Sequence, residues 1–150
     1  MIVKLKQDST VEEAEILIKY DVMTKDIERI MTILESATTR IACIDDDNGE
    51  KLVNLSDIYY FESVDKKTFV YCKKAVYRTN LRLYQIADDF AKMGFVQISK
   101  SCVLNVNVLD SIIPLPSSRM EGTLTNGERV HITRNYLENI KRALKDEVQL

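Results

Sequence analysis

The chain has little of the material from which metal sites and disulfide frameworks are built. Its 150 residues contain one histidine, His131, and three cysteines, Cys43, Cys72 and Cys102, which are odd in number and widely spaced. Zinc sites need cysteine and histidine clustered at short spacing, and a disulfide framework needs paired cysteines. The sequence therefore predicts no metal ion, no other cofactor, and three free thiols of the kind found in a reducing cytoplasm.

Glycine and long apolar runs are also scarce. The four glycines, Gly49, Gly94, Gly122 and Gly127, are isolated, which excludes a glycine-rich phosphate loop. No run approaches the roughly 20 apolar residues that cross a bilayer, and residues 1–6 alternate rather than form the apolar core of a secretion signal. No nucleophile stands beside a general base. We therefore expect a cytoplasmic protein that is not an enzyme and has no small-molecule substrate.

Charge is distributed unevenly along the chain. The net charge is −2, but residues 1–50 hold 6 basic and 12 acidic residues, a net −6, and residues 51–150 hold 15 and 11, a net +4. An acidic front and a basic back indicate that only the back meets an acidic partner such as nucleic acid.

The first 40 residues predict a small appendage. Residues 2–7 and 15–20 alternate like two short strands, and residues 24–36 show apolar side chains at helical spacing, with Thr24 placed to cap the helix. A strand–strand–helix segment over residues 1–40 is too small to be stable alone. We expect it to pack on the rest of the chain or on a second copy, as a dimerisation or partner-binding segment.

From residue 41 the pattern changes to short strands separated by tight turns. Strands are predicted over residues 41–45, 51–55, 58–61, 68–72, 75–79, 108–113, 123–125 and 129–132. Three of the turns are Asn48-Gly49, Lys73-Lys74 and Asn126-Gly127. The prediction is a mostly β fold with a few helices, in the α+β class.

Helices and breaks complete this pattern. Asn80 is expected to cap a helix over residues 81–92, which Gly94 ends, and Asn135 is expected to cap a last helix. That helix has Leu137, Ile140 and Leu144 inward and Lys141, Arg142 and Lys145 outward. Pro114 and Pro116 are expected to end the strand before them and to open an exposed loop over residues 115–119.

Two stretches place hydroxyl groups beside a cation. Ser99-Lys100-Ser101 lies within residues 95–105, and Thr133-Arg134 lies within residues 132–136, each between apolar anchors. Hydroxyls and basic head groups donate hydrogen bonds to phosphate oxygens. Neither stretch contains a general base, so the two stretches predict binding of an anion, and of DNA in particular, rather than catalysis.

In the order and spacing of six segments, the chain resembles the LytTR-type DNA-binding domain family of bacterial transcriptional regulators. The segments are DIYYFES (57–63), residues 81–90, FVQISKSCVLN (95–105), IIP (112–114), LTNGE (124–128) and ITRNYL (132–137). The resemblance assigns residues 41–150 to a LytTR-like domain. It implies an elongated body of short antiparallel strands whose loops enter the major groove of paired, directly repeated promoter elements.

The resemblance also implies which residues contact DNA. By position these are Lys66, Lys67, Ser99, Lys100, Ser101, Thr133, Arg134 and Asn135. Many family members carry histidine where this chain has Ser99, and serine where it has Thr133. Arg134 is the best candidate for reading a base, because a guanidinium can bond guanine through two hydrogen bonds.

The resemblance leaves the partners open. Residues 1–40 are too short for a phosphoacceptor receiver domain, so the chain is expected to be of the stand-alone kind, a homodimer whose relatives act beside a small membrane protein. One alternative function is a protein-interaction module, an anti-activator or a partner of a membrane protein, without DNA binding. Another is single-stranded RNA binding through Tyr59, Phe61, Phe69, Tyr71 and Tyr77, although aromatic strand residues more often fill a core.

Overall fold

The computed structural model describes residues 1–144. The helices are α1 (Lys25–Thr38), α2 (Leu83–Asp89) and α3 (Leu137–Leu144). The strands are β1 (Arg40–Ile44), β2 (Glu50–Asn54), β3 (Ile58–Val64), β4 (Lys67–Cys72), β5 (Val76–Thr79), β6 (Phe95–Ser99), β7 (Cys102–Asn105), β8 (Leu109–Leu115), β9 (Arg119–Leu124) and β10 (Arg129–Ile132). The prediction of a mostly β fold is confirmed.

Two antiparallel sheets form the body. The larger has seven strands in the order β2-β1-β5-β4-β3-β7-β6, and the smaller has three in the order β10-β9-β8. The three hairpin turns predicted at Asn48-Gly49, Lys73-Lys74 and Asn126-Gly127 join β1 to β2, β4 to β5, and β9 to β10, as expected. Short connections between sequence neighbours account for most of the pairing, since a tight turn forces antiparallel strands together.

Strand β7 is buried along its whole length and faces two cores. Val103 points into a core between one face of the large sheet and α2. Cys102 and Leu104 point to the other face, where the small sheet and α3 cover them. Because successive side chains of a strand point to opposite faces, a strand covered on both sides needs apolar residues on both faces, and Cys102, Val103 and Leu104 meet that requirement. Asn105, at the end of the strand, is buried with its side-chain amide hydrogen-bonded to the Ile58 carbonyl.

A bulge lets the aromatic strand β3 serve both cores. Its register to β4 shifts between Ile58 and Tyr60, so that Ile58 and Phe61 face the first core while Tyr59 and Tyr60 pack against the second. The Tyr60 ring stacks on Tyr71 with centroids 4.4 Å apart. Phe61 is fully buried, so it cannot serve as the stacking platform that RNA binding would require.

The two strands predicted at residues 2–7 and 15–20 do not form. Residues 1–24 contain no strand, and their apolar side chains are exposed, with Leu5 98% and Leu17 77% accessible. The Asp8 carboxylate accepts hydrogen bonds from the Thr10 amide at 2.9 Å and hydroxyl at 2.7 Å, which turns the chain between the two segments. An alternating pattern becomes a strand only beside a pairing partner, and neither segment has one within this chain.

The predicted helix that follows is confirmed as α1. The Thr24 hydroxyl oxygen accepts a hydrogen bond from the Ile27 amide at 3.4 Å, which caps the helix as expected. Ile27 is buried, and the helix packs on the 3-10 turn Leu55–Asp57. Residues 1–24 are therefore an extended segment attached to a helix that belongs to the body.

Both asparagine caps were predicted in the wrong place. The Thr79 hydroxyl accepts from the Leu81 amide at 3.3 Å, so the chain stays extended past Asn80, and α2 begins only after Arg82. Asn135 lies inside the 3-10 turn Arg134–Tyr136, for which Thr133 is the N-cap residue. Gly94 ends the helical region in a left-handed conformation, with φ of 93°, as predicted.

The proline prediction also needs correction. β8 runs through Pro114 to Leu115, and the loop is shortened to residues 116–118. A proline is tolerated there because β8 is the outer strand of its sheet, where the missing amide hydrogen faces no partner. Ile140 and Leu144 are buried and Lys141 and Arg142 are exposed on α3, as expected; Lys145 lies outside the described residues.

Asn105 provides a direct test of this architecture. Its buried side-chain amide donates to the Ile58 carbonyl oxygen at 2.9 Å, and its side-chain oxygen accepts from the Asn107 amide at 3.0 Å. We expect Asn105→Ala to lower the free energy of unfolding by about 1–3 kcal/mol, because a buried carbonyl loses its partner. Denaturant unfolding measures this, with the exposed, non-capping Asn80→Ala as the control, expected to change stability by less than about 0.5 kcal/mol. A loss at Asn80 as large as that at Asn105 would contradict both assignments.

Candidate nucleic-acid interface

Antiparallel pairing brings several connections of the chain to one edge of the large sheet. β3 turns into β4 there at the pair Val64 and Lys67, and β5 ends beside β4 at the pair Thr79 and Thr68. β7 begins next to the end of β3, and β6 ends next to β7. We name this the loop edge; it comprises residues 64–67, 79–82, 99–102 and 133–135.

The turn between β3 and β4 carries Lys66 and Lys67. Asp65 and Lys66 both have left-handed backbone conformations, with φ of 51° and 65°, which is the geometry of a two-residue type I′ hairpin turn. A lysine rarely adopts this conformation, so the turn needs support from its surroundings. The Arg82 guanidinium supplies it by donating to the Lys66 carbonyl oxygen at 3.0 Å. Both lysine side chains are exposed.

The turn between β6 and β7 is held by three hydrogen bonds. The Gln97 side-chain amide donates to the Ser99 carbonyl at 3.1 Å, and the Ser101 amide donates to the Ser99 hydroxyl oxygen at 3.3 Å. The Ser63 amide of β3 donates to the Ser101 carbonyl at 2.8 Å, which ties this turn to the neighbouring hairpin. The backbone is thus fixed while Lys100 is exposed at the tip.

The third part of the loop edge follows β10. Thr133 donates twice to the Ile98 carbonyl oxygen, from its amide at 3.0 Å and from its hydroxyl at 3.4 Å. These bonds seat the start of the 3-10 turn against the end of β6. Arg134 and Asn135 come next and are exposed. The Thr133 hydroxyl therefore points inward and positions the turn, while the two residues after it point to solvent-accessible positions.

The loop edge concentrates positive charge over a short distance. The centres of the β3–β4 and β6–β7 turns are two strand spacings apart, about 10 Å. Among residues 1–144, Lys66, Lys67, Lys100 and Arg134 form no ion pair with a carboxylate. Cations that are not neutralised within the protein remain available to an anion bound across these turns.

The predicted site residues thus come together, and one further residue joins them. Arg82 is exposed on the loop edge and bonds the Lys66 carbonyl, but sequence reasoning placed it inside a helix and away from the site. The sequence did contain a signal that Arg82 lies near the site. The predicted β4–β5 hairpin returns the chain to the edge where β3 turns into β4, and Arg82 follows that hairpin.

The thiols are not poised to react. Burial raises the pKa of the Cys102 thiol to about 12, and the nearby Glu62 carboxylate adds to the shift. Burial likewise raises the pKa of Cys43 and Cys72 to about 11. Since the thiolate is the reactive form, Cys102 is a core side chain that happens to follow the β6–β7 turn. The three cysteines are free, as predicted.

Residues 1–144 contain no group of three or more histidine, cysteine or acidic side chains that could hold a metal ion. None of the three helices is long and apolar enough to cross a membrane.

The fold presents short loops with exposed cations at one edge of a β body. Among residues 1–144 no two α-helices are joined directly by a turn, so the described part of the chain contains no helix-turn-helix. Residues 49–145 match the LytTr DNA-binding domain family, and the chain belongs to that family. The family is a DNA-binding domain and not an enzyme class, and membership supports a role in DNA binding and transcription regulation.

Individual relatives agree with this membership. The chain is 28% identical over 94 residues to the sensory transduction protein LytT of Bacillus cereus, which covers 63% of this chain and 38% of that protein. It is 24% identical over 111 residues to an uncharacterized HTH-type transcriptional regulator of Staphylococcus aureus, covering 74% of each chain. A solved LytTr DNA-binding domain from Bacillus cereus superposes with a TM-score of 0.66 at 26% identity, covering 71% of this chain and 97% of that one. The chain spans well under half the length of the LytT protein.

Cys102 gives a test of the burial described at this site. We expect it to react slowly with a thiol reagent at pH 8 in the folded protein and rapidly after unfolding, because only the folded state suppresses ionisation. The ordinary pKa of a thiol is 9.0, and that of Cys102 in the folded protein is about 12. Between these two pH values the unfolded chain loses the thiol proton while the folded chain keeps it. The free energy of unfolding therefore falls as pH rises through this range. Peptide mass spectrometry of labelled protein separates the three cysteines, and rapid labelling of Cys102 in the folded state would contradict its burial.

Proposed function

We propose that this chain is a sequence-specific regulator of bacterial transcription that inserts the loop edge into the major groove of duplex DNA at paired direct repeats. The observation that carries the proposal is the convergence of three cationic turns on one edge with fixed backbones. A turn separation of about 10 Å is compatible with a major groove about 12 Å wide. Such a protein acts in the cytoplasm, where the DNA is.

We assign different tasks to the residues. Arg134 is exposed and forms no ion pair with any of residues 1–144, so it can bond a guanine edge, and Asn135 beside it can bond an adenine. Lys66, Lys67 and Lys100 suit phosphate contacts, which position the protein without reading sequence. The Ser99 and Ser101 hydroxyls lie 3.5 Å apart, and since only one can donate to the other, at least one proton is left for a phosphate. Thr133 positions Arg134.

Binding at paired DNA sites requires two copies of the chain to associate, and residues 1–40 supply that association. We assign them to homodimerisation, because residues 1–24 expose a series of large apolar side chains to solvent; these are Met1, Ile2, Val3, Leu5, Val11, Ile16, Leu17, Tyr20, Val22 and Met23. The same exposure favours a second candidate function, that of a protein-interaction module whose acidic front binds another protein such as a small membrane protein. Tight partner binding with no DNA affinity at low salt would favour that second function.

Selection from a random duplex pool tests the proposal. We expect enrichment of two similar elements about one helical turn apart, the spacing at which two copies lie on the same side of the duplex. Arg134→Ala should then lose discrimination at one base position, by about 1–3 kcal/mol. Lys100→Ala should instead weaken binding to every sequence and reduce the slope of log affinity against log salt by about 0.9.

The control for both variants is Lys141→Ala, an exposed lysine on α3 away from the loop edge. It should leave the selected elements and the salt slope unchanged. An equal loss on all sequences for Arg134→Ala would make Arg134 a phosphate contact, and a folded protein that enriches nothing would overturn the proposal.

Arg82 provides an independent test of how the loop edge is held. We expect Arg82→Ala to weaken binding to the selected element severalfold, because the β3–β4 turn loses its tether at the Lys66 carbonyl along with one positive charge. Arg82→Lys keeps the charge but loses the planar guanidinium that reaches this carbonyl. Affinity restored by lysine shows that charge matters most, whereas equal loss in both variants shows that the tether does. Unchanged affinity in Arg82→Ala would contradict both roles.

A further inference from the structure

A cleft at the end of the large sheet opposite the loop edge carries a second group of cations. It has a volume of about 580 Å³ and is lined by Arg40, Lys51, Lys73 and Lys74. Asp57 is the acidic residue of the lining, so four cations face one carboxylate. We name this the basic cleft. None of its residues belongs to the loop edge, and the proposed DNA contacts do not use it.

The cleft also offers apolar surface. The half-buried rings of Tyr59 and Tyr77 line it, and the Lys51 ammonium lies 5.6 Å from the Tyr77 ring centroid. Leu52, on the same lining, is 55% exposed. Cations interleaved with aromatic and aliphatic surface suit a peptide that mixes carboxylates with apolar side chains.

The lining of the basic cleft comes from two parts of the large sheet. Lys51, Leu52 and Val53 belong to the outermost strand β2, whereas Lys73 and Lys74 belong to the turn between β4 and β5. A segment bound in the cleft therefore contacts cations from both parts.

The chain itself contains a segment of matching chemistry. Residues 12–20, which we name the acidic arm, begin with Glu12, Glu13 and Glu15 and have no basic residue before Lys19. Ile16 and Leu17 are 70% and 77% exposed. The arm has the alternation of a strand but lacks a strand to pair with. The three carboxylates of the arm complement the four cations of the basic cleft, and the apolar residues that follow them complement the apolar surface of its lining.

The arm of one chain lies outside that chain's own cleft. None of residues 12–20 is among the residues that line it, and the apolar side chains of the arm are exposed. The cleft of each copy is therefore open to the arm of a second copy.

We propose that the acidic arm of one copy of this chain binds in the basic cleft of a second copy. One arm in one cleft is a heterologous contact, which does not impose the two-fold symmetry that an inverted repeat would require. The inference rests on the homodimerisation proposed above and specifies where it occurs. It leaves the loop edge of both copies free.

Zero-length carbodiimide coupling tests this directly on the full chain without DNA. The reagent joins a carboxylate to a lysine only where the two are in contact. With equal amounts of ¹⁵N-labelled and unlabelled protein, we expect coupled peptides that join Glu12, Glu13 or Glu15 to Lys51, Lys73 or Lys74 and contain one chain of each isotope. If every coupled peptide contains a single isotope, the arm docks within its own chain. If no arm–cleft peptide is found at all, the arm lies elsewhere. Either result overturns the proposal.

Charge reversal provides the second measurement. We expect Lys73→Glu/Lys74→Glu, and separately Glu12→Lys/Glu13→Lys, to reduce the sedimentation mass to that of the 17.3 kDa monomer, and a mixture of the two variants to associate again. Lys141→Glu/Arg142→Glu on α3 is the matched control and should associate like the parent protein. Failure of the mixture to associate overturns the proposal.

The DNA proposal is measured separately on the same variants. A single-element duplex should bind the Lys73→Glu/Lys74→Glu protein within about twofold of the parent. If this variant loses DNA affinity while its mass is unchanged, the basic cleft is a DNA surface and the present inference is wrong, although DNA binding itself stands. If association follows the expected pattern and no duplex is bound, the DNA proposal fails and the arm–cleft contact remains.

Discussion

The two-sided burial of β7 is the constraint on which the rest of the structure depends. Because Val103 faces one core and Cys102 and Leu104 face the other, the small sheet and α3 must lie on the face of the large sheet opposite α2. This places β10 against the end of β6, where Thr133 bonds the Ile98 carbonyl. A turn from the last third of the chain thereby reaches two turns of the large sheet, and the loop edge exists only because both cores share one strand.

The loop edge combines a fixed backbone with exposed charge. Hydrogen bonds from Arg82, Ser63 and Thr133 hold the three turns from the protein side, while Lys66, Lys100 and Arg134 extend from them. A rigid turn limits the entropy that its side chains lose when they meet a ligand. Under the function proposed above, these short loops take the place of a recognition helix. The same arrangement explains why some polar residues of the turns form hydrogen bonds within the protein while others face solvent.

Local patterns predicted the local structure well, and tertiary context decided the rest. The hairpins at Asn48-Gly49 and Asn126-Gly127, the cap at Thr24 and the left-handed Gly94 follow from a few neighbouring residues. The strands predicted at residues 2–7 and 15–20 failed because alternation does not supply a pairing partner. Asn80 was misassigned as a cap because the Thr79 hydroxyl accepts the Leu81 amide hydrogen and keeps the chain extended. Asn135 was misassigned because the 3-10 turn that leads into α3 already begins at Arg134. The resemblance predicted the site residues, and the fold brings them to one edge. It did not include Arg82, because the place of Arg82 at this edge depends on a contact with a turn 16 residues earlier in the chain.

The central claim is that DNA meets the loop edge, and an NMR titration of isotope-labelled protein with a duplex carrying the selected elements tests it most directly. The account predicts that the largest amide shifts fall on Lys66, Lys67, residues 99–101 and residues 133–135, with little change at Lys73 and Lys74 across the sheet. Large shifts at the basic cleft or in residues 1–24, with the loop edge unchanged, would contradict it.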